Sequence, residues 1–88
     1  MQNSKEKIIS LVQDFNSGNK ERAIKKFDIL LKNTKRTHDL LLIYADMLNA
    51  NNHISDAINT FKEILEAKPK NKEVLKKIYT SYFKIEQF

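Results

Sequence analysis

The stretch from residue 20 to 35 is written again from 54 to 69. Ala23, Ile24, Phe27 and Leu30 return as Ala57, Ile58, Phe61 and Ile64, each 34 residues later. A partial third copy starts near Asn71, where Leu75 and Ile78 repeat Leu41 and Tyr44. A fixed period of this length marks an array of supersecondary units, each too small to bury its apolar face alone. Arrays of this kind bind along an extended concave surface, so the repeat says more about how the chain binds than about what it binds.

The apolar residues inside each copy follow a helical period. Ile8, Leu11, Val12 and Phe15 sit at i, i+3, i+4 and i+7, and Ala23, Ile24, Phe27, Leu30 and Leu31 form a second stripe. Five helices are expected, over about 5–16, 20–32, 38–50, 54–67 and from 72 onward. Ser4, Asn19 and Thr37 are the expected N-caps of the first three. Gly18 ends the first helix, and Asn52, the best non-glycine for positive φ, takes that place one period later. Pro69 closes the fourth helix and disfavours helical Lys68. The third helix, with Leu40, Leu41, Leu42, Ile43, Tyr44, Ala45, Met47 and Leu48, is apolar nearly all round and should be covered on more than one side. No period-two alternation or hairpin dipeptide is present, so no strand is expected.

These residues resemble the tetratricopeptide repeat, a 34-residue helix-turn-helix unit with the pattern W-x2-L-G-x2-Y, A-x3-F, P. The unit 38–71 is most similar: Leu41, Tyr44-Ala45 and Leu48 stand at the first-helix positions, and Ala57, Phe61 and Pro69 match outright. The unit 4–37 matches through Gly18, Ala23 and Phe27. Its first helix departs, with Lys7, Ser10 and Asp14 where the family is apolar, and Lys35 replaces the proline. Residues 72–88 supply only a first helix. The resemblance implies one domain over 1–88 and an all-α, right-handed superhelix of two repeats plus a fifth helix, in short a helix-turn-helix solenoid.

The resemblance also implies a concave groove lined by the first helices of successive repeats. Lys5, Ile8, Val12 and Phe15 would line it from the first helix, Asp39, Leu42, Asp46 and Asn49 from the third, and Glu73, Lys76, Thr80 and Phe83 from the fifth. Such a surface suits a peptide or amphipathic helix of a partner protein. One subclass of the family grips a C-terminal carboxylate with two Lys, two Asn and an Arg. The matching positions here are Ile8, Val12, Ile43, Glu73 and Lys77, so a carboxylate-clamp adaptor is not expected.

Two apolar clusters carry competing readings. Ile8, Val12 and Phe15 form either a binding stripe or, more in keeping with a helical stripe, packing against the second helix or another copy. Tyr79, Tyr82 and Phe83 lie among lysines and could stack on bases, but at helical spacing aromatics are expected in the core. The fifth helix has no following helix, yet Val74, Phe83, Ile85 and Phe88 would leave an apolar patch on it. Further sequence, a partner or a second copy would cover that patch, which makes these four residues candidates for self-association.

Composition excludes several classes. Without cysteine there is neither disulfide nor thiol chemistry. His38 and His53 are 15 apart with no ligand partner at metal spacing. No catalytic motif, phosphate loop or cofactor fingerprint is present, so no enzyme and no cofactor are expected. No apolar run approaches a membrane span, nor is there a signal peptide, so a soluble cytoplasmic protein is expected. The net charge of +5 is concentrated at the ends, with residues 1–34 and 69–88 each at +3 and residues 35–68 at −1. Lysine on helix surfaces is commonly a solvated face, so nucleic acid ranks behind protein as partner. The alternatives to an interaction module are therefore a basic nucleic-acid-contacting module and a repeat segment attached to an enzyme.

Overall fold

The computed structural model of the chain describes residues 4–86. Among them are five α-helices and no strand: α1 Ser4–Asn16, α2 Lys20–Lys32, α3 His38–Ala50, α4 Ile54–Ala67 and α5 Lys72–Glu86. The chain divides into two compact units, Met1–Arg36 and Thr37–Phe88. The division falls beside the expected repeat boundary.

In the first unit α1 packs on α2. Leu11, Phe15, Ala23, Ile24, Phe27 and Leu31 are buried, and Ala23 and Phe27 are wholly enclosed. In the second unit α4 lies against both α3 and α5. Its core holds Leu41, Ala45, Met47 and Leu48 from α3, Ile54, Ala57, Ile58, Phe61 and Ile64 from α4, and Val74 and Ile78 from α5. The alanine and phenylalanine of each A-x3-F pair are the most completely buried side chains of their helices. Burying a ring of that size contributes about 1.5–3 kcal/mol.

The α1–α2 and α3–α4 turns are the same object built twice. Gly18 and Asn52 both have positive φ, at 106° and 66°. Asn19 N–H donates to Asp14 O at 3.0 Å and Gly18 N–H to Phe15 O at 3.2 Å. One period on, His53 N–H donates to Leu48 O at 2.8 Å and Asn52 N–H to Asn49 O at 3.3 Å. This pair of bonds around one left-handed residue is the Schellman arrangement, which satisfies the last carbonyls of the preceding helix.

That turn explains one correction. Asn19 was expected to cap α2 with its side chain, but no such bond forms. Asn19 has ψ 52° and His53 ψ 60°, set by their place in the turn, outside the extended geometry that aims a capping side chain at the helix amides. Their backbone carbonyls still take the first helical bond, from Ala23 and Ala57. Where the connection is longer, side-chain capping returns. Thr37, at ψ 159°, accepts from Leu40 N–H at 3.3 Å, and Asn71 Oδ1 accepts from Val74 N–H at 3.2 Å. α1 begins at Ser4, one residue before the expected start.

The helix ends that face polar connections are sealed differently. Asn33 Nδ2 donates to Ile29 O at 2.9 Å and Thr34 Oγ1 to Leu30 O at 2.8 Å, closing α2. α4 stops at Ala67, where Lys68 leaves the helical region at φ −132° and ψ 74°, as the residue before Pro69 is disfavoured from helical geometry.

Candidate functional site

Three surfaces stand out. The first is a cleft between α3 and α5 in the second unit, of about 260 Å³, lined by Asp46, Asn49, Glu73, Lys76, Lys77 and Thr80. Five residues expected in the groove, Asp46, Asn49, Glu73, Lys76 and Thr80, meet here. Every lining residue is polar or charged, with the hydrocarbon stems of the lysines contributing apolar surface. Lys77 Nζ lies 2.9 Å from Asp46 Oδ1 and 3.1 Å from Oδ2, bridging α5 to α3. Beneath it Ser81, fully buried, donates its hydroxyl to Lys77 O at 3.0 Å and lies 3.3 Å from Asn49 Oδ1. Sequence reasoning missed both contacts. Only a serine set inside an otherwise aromatic stretch, three residues after Ile78, hinted that this position accepts nothing large.

The second surface is the outer face of α5. Tyr79 is 69% exposed, Phe83 62% and Tyr82 42%. The expectation that these three are core is corrected. α5 carries two apolar stripes, Val74–Ile78–Ser81 and Leu75–Tyr79–Tyr82, and the first is the buried one. Val74 was expected in the exposed patch and is 1% exposed, because it lies one and two turns before Ile78 and Ser81 on the packed stripe. Ile85 is exposed at 42%, and Phe88 lies outside the described residues. Lys62 of α4 places its Nζ 5.8 Å from the Tyr82 ring centroid, a cation–π distance.

The third surface lies in the first unit, a cleft of about 340 Å³ between α1 and α2. Its floor is Leu11 and Leu30, and its rim holds Lys7, Asp14 and Lys26. Lys7, Ser10 and Asp14 stand 34 residues before Leu41, Tyr44 and Leu48. Leu41 and Leu48 are buried and Tyr44 is half-buried.

The remaining residues expected in the groove distribute as follows. Lys5 is exposed, and Ile8 and Val12 are half-buried. Phe15 is buried beneath Lys20, whose Nζ lies 5.6 Å from the ring centroid, so it is a core residue and not a groove-facing one. Leu42 is half-buried and does not line the α3–α5 cleft.

Among the described residues no group of three His, Cys, Asp or Glu side chains could hold a metal ion. None of the described buried side-chain polar atoms lacks a hydrogen-bond partner. No described helix is long and apolar enough to cross a membrane. Comparison of the chain with protein-family models, with curated proteins and with solved structures found no match.

Proposed function

We propose that this chain is a non-catalytic protein–protein interaction module of the tetratricopeptide-like type, binding a peptide or helix of a partner through its second unit. The observation that carries the reading is the row of Tyr79, Tyr82 and Phe83 held in water on α5. Tyrosine and other aromatics are the side chains that anchor protein interfaces, since they bury a large area at small entropic cost. The duplicated turn and the duplicated A-x3-F pair support the repeat assignment. The α3–α5 cleft, polar and bridged by Lys77 and Asp46, supplies orienting contacts beside the aromatic row.

Selection of a displayed peptide library on the immobilised chain tests the reading. Enriched peptides are expected to lose binding to Phe83→Ser or to Asp46→Lys. Enrichment that neither variant alters, or no enrichment at all, overturns it.

A further inference from the structure

Resting on that reading, we propose that the outer face of α5 receives an acid-flanked amphipathic helix that presents small side chains to Tyr79. The argument begins with the internal repeat. α3 packs on α4 with Leu41, Ala45 and Leu48 buried. The same positions 34 residues later are Leu75, Tyr79 and Tyr82. Leu75 is half-buried, and the two tyrosines are exposed. α5 meets α4 through its other stripe, so the face that α3 turns toward a following helix is on α5 turned to solvent. A helix is therefore the element this face is shaped to take.

The identity of the central residue fixes the shape of the occupant. In α3 the centre is Ala45, fully buried, which lets α4 approach closely. In α5 it is Tyr79. A helix with α4's large apolar side chains would collide with that ring, whereas alanine, glycine or serine on successive turns would seat it. Close packing alternates large and small across facing positions.

Charge fixes the flanks. Lys72 and Lys76 stand two turns and one turn before Tyr79 and are exposed along its side of the helix. On the other side Lys62 sits against the Tyr82 ring. Aspartate or glutamate on both shoulders of the incoming helix would meet these lysines, favouring encounter and orientation. A second copy of this chain fits less well on both counts, since it would bring the same lysines and the same bulky tyrosine to the contact.

The test is a titration of the full, isotope-labelled chain with three synthetic helical peptides, followed by NMR amide shifts. One has alanines at the apolar centre and glutamates on both shoulders. The second replaces those glutamates with lysines, and the third replaces the alanines with leucines. The first is expected to shift the amides of Leu75, Tyr79, Tyr82 and Phe83 and to bind at least tenfold tighter than either of the others. Tyr79→Ser and Phe83→Ser are expected to weaken it at least tenfold with unchanged helical content. Equal binding by the lysine or leucine peptide, or no shift on α5, overturns the proposal. Shifts confined to Asp46, Asn49 and Lys77 overturn it while leaving the interaction reading standing. Two further results reassign the face and so overturn it as well. One is binding of oligo(dT) that Tyr79→Ser abolishes, and the other is a dimer in light scattering that Phe83→Ser abolishes.

Discussion

Gly18 and Asn52 hold the same left-handed turn position, 34 residues apart, closed by the same two backbone hydrogen bonds. Nothing crowds a Cβ built on Gly18, so the strain of a side chain there is purely that of φ 106°. Gly18→Ala is expected to cost about 1–2 kcal/mol in urea unfolding. Asn52→Gly is expected to be neutral or stabilising by about 0.5 kcal/mol, since φ 66° suits glycine at least as well. A destabilising Asn52→Gly would mean that the asparagine side chain holds the turn by some other contact.

The two wholly buried phenylalanines set the stability of their units. Phe27→Ala and Phe61→Ala are each expected to cost about 3–5 kcal/mol, the range for truncating a core ring. Thermal denaturation followed by circular dichroism reads both.

The Lys77–Asp46 bridge has half-exposed partners, at 32% and 47% for the two side chains. Solvent screens such a pair, so Lys77→Met is expected to cost only about 0.2–1 kcal/mol, with the difference fading at 1 M salt. A larger effect that salt leaves unchanged would assign the contribution to packing of the lysine stem.

The open cleft of the first unit invites filling. Asp14 stands in the frame of Leu48 and lines the hollow with Leu11 and Leu30. Asp14→Leu is expected to stabilise the chain by about 1 kcal/mol through added apolar burial. An unchanged or lower melting temperature would indicate that Asp14 is held by a polar contact the cleft requires.

Helix positions and turn chemistry were legible because they are local. The bounds of α2, α3 and α4 follow from stripe, turn residue and proline, and the positive φ of Asn52 follows from its frame with Gly18. What could not be read depends on which neighbour a helix meets. Val74 and Leu75 are adjacent, and either could head the buried stripe of α5. Only the orientation of α5 on α4 decides between them, and it decided for Val74 and against Tyr79. The side-chain cap expected of Asn19 failed for a related reason: its backbone was already committed to finishing α1. The Lys77–Asp46 bridge spans 31 residues, beyond any helical spacing rule. The meeting of Asp46 and Asn49 with Glu73, Lys76 and Thr80 followed only from the resemblance to a stacked repeat, since helical period places residues on one face of α3 or of α5 but does not set the two helices side by side.

Ser81 gives α5 an uneven grip. The first half of the helix is fastened by the apolar side chains of Val74 and Ile78, whereas at Ser81 a hydroxyl takes the place of a hydrocarbon. Burial of hydrocarbon supplies most of the free energy that resists local opening, and a neutral hydrogen bond adds little net. Amide hydrogen exchange should therefore run as a gradient along α5, slow near Val74 and fast beyond Ser81. The helix would peel from its C-terminal end, carrying Tyr82 and Phe83 away from the body while Val74 and Ile78 remain seated.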